Sequence, residues 1–105
     1  MSGAAMLVTT VDSDDKARMI ISAALEARLA ACAQLFPIRS HYVWKGALEE
    51  QQEILVQMKI RSEDHDALAA LVRRLHPYET PEILKIDIAA VDPDYFAWLT
   101  DATAR

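Results

Sequence analysis

A long stretch of alternating side chains, residues 33 to 60, constrains the fold of this chain more than any other feature. Its second half is apolar at every other position over residues 54 to 60, the period of a strand with one buried face. Its first half alternates in the same way up to Trp44, and residues 45 to 48 then supply the glycine that a turn favours. The pattern predicts a β-hairpin in which Trp44 lies opposite Gln52, so that the apolar faces of the two strands coincide.

This hairpin is too long for a chain of 105 residues. Its first strand, residues 34 to 45, spans about 40 Å at about 3.3 Å per residue. A compact chain of this length has a diameter of only roughly 33 Å. Pro37 introduces a bend or bulge that shortens the strand somewhat. We therefore predict a ribbon that overhangs the domain, and its unpaired edges favour association with another chain.

Composition supports association and narrows the partners. Apolar residues make up 52% of the chain, more than a small interior holds. Eleven basic against sixteen acidic residues give a net charge of −5, which argues against nucleic acid. No apolar run approaches the roughly 20 residues of a membrane span, and residues 1 to 11 lack the basic start of a signal peptide. Because the single cysteine, Cys32, allows no internal disulfide, we expect a cytoplasmic protein.

The remaining segments predict the element order βαββαβ followed by a further helix. A β-branched run at residues 6 to 11 predicts a first strand, and residues 83 to 90 predict a last one. The first helix begins at Asp12 or Ser13, and the second begins at Ser62 and ends at Pro77. Asp92-Pro93 begins the final helix. Four strands with helices on one face predict an α+β fold, a ferredoxin-like sandwich with a long central hairpin and an extra C-terminal helix. We predict a single domain over residues 1 to 105.

Six short stretches, in order and spread over nearly the whole chain, carry a resemblance to a known family. They are Thr9-Thr10, Glu26-Ala27-Arg28-Leu29-Ala30-Ala31-Cys32, Tyr42-Val43-Trp44-Lys45-Gly46, residues 53 to 59, His76-Pro77-Tyr78-Glu79-Thr80-Pro81-Glu82 and Tyr95-Phe96-Ala97-Trp98-Leu99. Together they resemble the CutA family of divalent-cation tolerance proteins, and the stretch that begins at His76 is the most specific. The resemblance implies a homotrimer whose hairpins pair between subunits, a likeness to PII signalling proteins, and tolerance of copper and other divalent cations.

Candidate metal ligands are few. A soft-metal site needs several Cys, His or Met ligands around one ion, and the chain has neither C-x-x-C nor H-x-x-x-H spacing. Core packing is the favoured explanation of Cys32, with ligation second, whereas helix capping and ligation explain His76 equally well. In a trimer, however, one such side chain per subunit becomes three. Cys32 and His76 are therefore the candidate ligands for copper or another divalent cation, and no organic cofactor is indicated.

A second group of residues predicts a binding cleft: Trp44, Lys59, Tyr78, Glu79 and Glu82. Glu79 and Glu82 flank Pro81 in a stiff polar loop, where ligand contacts are common. Trp44 fits either a subunit-interface anchor or a pocket wall. If Lys59 faces these carboxylates, the arrangement is either an ion pair or a cleft between protomers for a small anionic ligand or a metal ion.

The combined interpretation is a trimeric protein that binds or responds to metal ions, or a PII-like signalling protein. A trimeric scaffold that docks a partner protein is the alternative. No nucleophile–base pair, phosphate loop or cofactor fingerprint is visible, so we predict no catalytic residue. A small acid–base enzyme using His76, Tyr78 and Glu79 is a third, less favoured hypothesis.

Overall fold

The structure, a computed structural model, describes residues 2 to 105. Its elements are β1 (Ala4–Val11), α1 (Asp14–Glu26), β2 (Cys32–Trp44), β3 (Ala47–Arg61), α2 (His65–Leu75), β4 (Ile83–Asp87) and α3 (Pro93–Ala102), with a 3₁₀ turn at Ser62–Asp64 before α2. This is the predicted order βαββαβ with an added C-terminal helix. The prediction of an α+β, ferredoxin-like fold is confirmed.

The four strands form one antiparallel sheet in the order β4-β1-β3-β2. The helices α1 and α2 cover one face, where Leu7, Met58, Ile20 and Val72 are almost fully buried. On the other face, Tyr95 of α3 lies against the first residue of β2. β4 ends at Asp87 rather than at residue 90, although the backbone N–H of Ile88 still donates to the carbonyl of Ala4 at 3.1 Å.

Local capping explains where α1 begins, but α2 has no side-chain cap. Ser13 caps α1, since its side chain accepts the backbone N–H of Lys16 at 3.2 Å, as predicted. The predicted cap at Ser62 is wrong. The backbone N–H of Ser62 instead donates to the carbonyl of Gly3 at 2.8 Å, which keeps this residue beside the sheet and delays α2 until His65.

The predicted hairpin register is wrong. Lys45 and Gly46 both have positive φ, at 50° and 80°, and form a two-residue turn of the type that matches strand twist. Trp44 is therefore opposite Ala47, not Gln52, and the whole ladder is displaced by an odd number of residues. Since an odd displacement exchanges the faces of a strand, Glu53 lies opposite Ile38 and on the same face as Tyr42 and Trp44 instead of behind them.

The hairpin overhangs the rest of the molecule, as predicted. The longest dimension is 45 Å, against 26 and 22 Å for the other two. Every residue from 41 to 50, which we call the arm, is exposed. Val43 is 67% and Leu48 is 88% exposed although both are apolar, and they lie directly opposite each other in the ladder. None of the helices in residues 2 to 105 has the length and apolar content that a bilayer span requires.

Candidate functional site

A cleft of about 620 Å³ opens where the arm leaves the sheet, and we call it the arm-root cleft. One wall is the hairpin and the other is the loop of residues 76 to 82. The cleft-lining residues that the sequence predicted are Trp44, Tyr78, Glu79 and Glu82. The lining residues that it did not predict are Thr10, Ser40, His41, Tyr42, Gln51, Glu53 and Thr80. Four of the five predicted binding residues are thus brought together.

His76 anchors the loop to the sheet. Its Nε2 lies 2.9 Å from the carbonyl oxygen of Thr10. Thr10 directly follows Thr9, where the pairing of β1 with β4 ends. Its Nδ1 accepts the backbone N–H of Tyr78 at 3.1 Å. Because that N–H can only donate, the ring must be neutral at Nδ1 and carry its proton on Nε2. Both nitrogens of this predicted metal ligand are therefore already bonded within the protein.

Tyr78 ties the same loop to β3. Its hydroxyl donates to Oε2 of Glu53 at 2.7 Å, and its ring lies edge-on to His76 with centroids 4.8 Å apart. Glu53 is only 7% exposed. Burial, reinforced by the hydrogen bond to Glu53, raises the pKa of Tyr78 well above its usual range. The phenol therefore stays protonated at neutral pH and acts as a fixed donor.

The cleft is acidic. Glu53, Glu79 and Glu82 line it, and among the described residues no lysine or arginine does. His41 is also a lining residue, but its Nε2 lies 3.5 Å from Oε2 of Glu50 on the other face of the hairpin. Lys45 approaches from the turn, with its Nζ 4.0 Å from Oε2 of Glu79. Both of these side chains are more than 70% exposed, so their ion pair is weak. This charge distribution favours a cationic ligand over the small anionic ligand that the sequence suggested.

Lys59 does not reach the cleft. It lies opposite Cys32 in the ladder, and its ammonium group donates to the side-chain oxygen of Gln34. Six positions of β3 separate it from Glu53, a distance of about 20 Å along the strand. Within one chain, the predicted pairing of Lys59 with Glu79 or Glu82 is therefore not formed.

The two predicted metal ligands lie apart. Cys32 is level with Met6 of β1, because both pair with Lys59 of β3. His76 bonds to Thr10, four positions further along β1, so the two ligands are about 13 Å apart along that strand. The Cys32 thiol is 3.4 Å from the Tyr95 hydroxyl, and this hydrogen bond, with burial, raises the pKa of Tyr95 to about 12. Among residues 2 to 105, no three His, Cys, Asp or Glu side chains are arranged to hold a metal ion.

Glu53 is the most informative lining residue that sequence reasoning missed. It begins the apolar run of β3, where a carboxylate on a half-buried strand requires a polar partner. That requirement was a signal, but its partner Tyr78 is far away in the sequence. His41 and Gln51 carried no comparable signal, because an exposed polar residue on a strand needs no partner.

The state of His76 predicts a pH dependence of stability. Burial lowers the pKa of His76, against the opposing effects of its bond to Thr10 and of nearby Asp12 and Glu53. As the pH falls below about 6.5, this histidine is therefore protonated in the unfolded chain before it is protonated in the folded one. Over the pH range from about 6.5 down to the lowered pKa, we expect the free energy of unfolding to decrease by at most about 1.4 kcal/mol per pH unit. Urea unfolding of the wild type and of His76→Gln over pH 5 to 8 measures it.

The control for this prediction is His41→Gln, because the side chain of His41 is 68% exposed. The control variant should keep the pH slope of the wild type, whereas His76→Gln should flatten it. Equal slopes in all three proteins would show that His76 is not the titrating group.

Comparison with known proteins agrees with this fold. A family model described as CutA1 divalent ion tolerance protein matches residues 5–102. The divalent-cation tolerance protein CutA of Pectobacterium atrosepticum is 38% identical over 97 residues, which cover 91% of this chain and 88% of that protein. None of these descriptions names a reaction.

Solved structures give the same result. CutA from Synechococcus elongatus matches with a TM-score of 0.94 at 35% identity, covering 99% of this chain and 93% of that one. The protein described as periplasmic divalent cation tolerance protein CutA from Archaeoglobus fulgidus matches with a TM-score of 0.93 at 31% identity, covering 95% of this chain and 98% of that one. The resemblance noted in the sequence is confirmed, and the chain belongs to the CutA1 divalent ion tolerance protein family.

Proposed function

We propose that this protein is a homotrimer that binds a divalent cation, with copper as the first candidate, in the arm-root cleft and responds to it. The observation that carries the proposal is that three carboxylates, Glu53, Glu79 and Glu82, line one cleft, to which neighbouring chains would add further donors. Carboxylate oxygens are donors that suit divalent cations. The family description, which names divalent ion tolerance, supports the same class of ligand.

The arm supports the trimeric part of the proposal. Val43 and Leu48 together expose most of their apolar surface at the end of a two-stranded ribbon, and such ribbons are marginal in water alone. Leu84 and Ile86 on the edge strand β4 are 48% and 42% exposed. If other copies of the chain cover both patches, these apolar side chains become buried. The same contacts would bring further metal-binding donors to the arm-root cleft.

A PII-like signalling role is part of this proposal, in which a bound cation reorders the loop that His76 and Tyr78 hold. The engaged nitrogens of His76 support a positioning role for it over acid–base catalysis. Cys32 and His76 remain a second candidate ligand pair, which symmetry-related chains would have to combine. We propose a cytoplasmic location because Cys32 is a single free thiol, although the description of the Archaeoglobus fulgidus protein names the periplasm.

Copper titration of the metal-free protein tests the cleft as the cation site. The double variant Glu79→Gln with Glu82→Gln should weaken copper binding several-fold, because it removes two anionic donors without changing side-chain size. Cys32→Ala should leave binding unchanged. Isothermal titration calorimetry at fixed protein concentration gives the dissociation constants.

Glu26→Gln is the matched control, because Glu26 is an exposed carboxylate at the end of α1, away from the cleft. Unchanged binding in the double variant, together with weaker binding in Cys32→Ala, would move the site to the thiol. No saturable binding by the wild type would contradict the cation proposal itself.

A scaffold that docks a partner protein is the second candidate, and the exposed Val43 and Leu48 pair favours it. This scaffold is also a trimer, so a screen for bound small molecules separates the two candidates: a scaffold should retain none.

A further inference from the structure

The walls of the arm-root cleft combine aromatic rings with carboxylates. The aromatic residues are Tyr42, Trp44 and Tyr78, and the acidic ones are Glu53, Glu79 and Glu82. Metal ions are bound by nitrogen, oxygen and sulfur donors, so the ring of Trp44 adds nothing to a metal site. The face of an aromatic ring does attract an organic cation, and tryptophan is the best of the aromatic residues for this.

An ammonium group of the chain lies outside the cleft lining but close to two lining side chains. Nζ of Lys45 is 5.5 Å from the centroid of the Trp44 ring and 4.0 Å from Oε2 of Glu79. The first distance lies within the roughly 6 Å over which such attraction is significant. Because the side chains of Lys45 and Glu79 are 71% and 74% exposed, solvent screens their pair and another cation can displace Lys45.

Glu53 adds buried negative charge to the same cleft. Its side chain lines the cleft although the residue is only 7% exposed. Among residues 2 to 105, the hydroxyl of Tyr78 is its one hydrogen-bond donor, and no Lys, Arg or His lies within ion-pair distance. Glu53 is opposite Ile38, six positions along β2 from Trp44 and about 20 Å away along the strand, so it does not contact a cation beside Trp44 and favours one only through the negative potential of the cleft.

We propose that the arm-root cleft binds a small organic ammonium ion, whose charged group replaces that of Lys45 between the Trp44 ring and Glu79. The inference rests on the proposed function only in that both assign the same cleft as the ligand site. Lys45 then acts as an internal competitor, which occupies the ammonium position until a ligand arrives.

A set of three matched probes tests this proposal. Butylammonium has the shape and charge of the lysine side chain, butan-1-ol is a neutral analogue of similar size, and butyrate is the corresponding anion. Ligand-observed NMR titration of the full-length protein should show saturable binding of butylammonium and none of the other two. Equal binding of butan-1-ol would overturn the proposal, because it would show that charge is not recognised.

Variants locate the ammonium position. Glu79→Gln and Trp44→Leu should each weaken butylammonium binding about fivefold or more, whereas Trp44→Phe should retain part of it. Glu26→Gln, a carboxylate outside the cleft, should have no effect. Thermal unfolding of each variant, with Trp44→Phe as the conservative replacement, separates lost binding from a disturbed arm.

Lys45→Asn provides the sharpest test. Asparagine suits the positive φ of this turn position, so the hairpin should be preserved. Removing the internal competitor should tighten butylammonium binding by about twofold to fivefold. Unchanged or weaker binding would overturn the assigned position.

The copper titration distinguishes this inference from the proposed function. Copper binding without butylammonium binding overturns the inference and leaves the proposed function standing. Butylammonium binding without copper binding supports the inference and overturns the proposed metal ligand. Failure of both probes rejects the cleft as a cation site.

Discussion

The paired substitution Val43→Lys with Leu48→Glu is expected to reduce the proposed trimer to single chains of 11.7 kDa, one third of the assembled mass. Burying a valine or leucine side chain contributes roughly 1.5–3 kcal/mol, and each of the three arms carries both residues. Charged groups at these positions would instead have to lose their water at the interface. Light scattering or sedimentation velocity at several protein concentrations measures the mass.

The design keeps the arm itself folded. Val43 and Leu48 are directly opposite, so the introduced lysine and glutamate form a favourable cross-strand pair. Met19→Lys with Leu25→Glu is the matched control, because these exposed apolar residues lie on α1 and the variant carries the same two charges. If the arm variant kept the mass of the wild type, the arm would not be part of the interface. A monomeric wild type would contradict the trimer directly.

The substitution His76→Ala is expected to destabilise the protein by about 2–4 kcal/mol. It removes the bonds to the Thr10 carbonyl and to the Tyr78 amide, and it leaves the first of these groups buried without a partner. A loss of this size is a large share of the roughly 5–15 kcal/mol that stabilises a typical domain. Thermal or urea unfolding at one fixed protein concentration measures it, since assembly would make the midpoint depend on concentration.

Two further variants show whether the loss of stability in His76→Ala comes from its hydrogen bonds. His76→Gln retains a side-chain donor that can reach Thr10, so we expect it to recover part of the stability. His41→Ala, at a position where the side chain is 68% exposed, should change stability by no more than about 0.5 kcal/mol. If His76→Ala were as stable as His41→Ala, then His76 would not hold the loop in place.

Much of the fold was predictable because its signals are local. Alternation over β3, the cap at Ser13 and the proline after Asp92 each depend on a few neighbouring residues. The hairpin register was not predictable in the same way. It depends on the number of residues in the turn, and Lys45 adopts a positive φ that is unusual for lysine. An error of one residue in that number exchanges the two faces of a strand.

The candidate site was predictable in part for a related reason. Glu79 and Glu82 share one short loop with Tyr78, so proximity along the chain brought them together correctly. Lys59 and Glu53 are both on β3, and only the sheet register decides which of them meets that loop. Sequence patterns identify the type of chemistry that a strand residue carries, whereas its position along the strand relative to the loop is a tertiary property.

The strand order β4-β1-β3-β2 has a consequence for how the molecule reaches its native state. The arm is a local hairpin with a two-residue turn, and such hairpins form within microseconds. In contrast, β1 is the first strand in the chain but lies between β3 and β4, so that Ala5 pairs with both Ile60 and Asp87. Closing these long loops is slow compared with local pairing. We therefore expect the exposed arm to form transiently before the sheet that supports it is complete. Until then, its apolar residues Val43 and Leu48 can contact another chain before folding is finished.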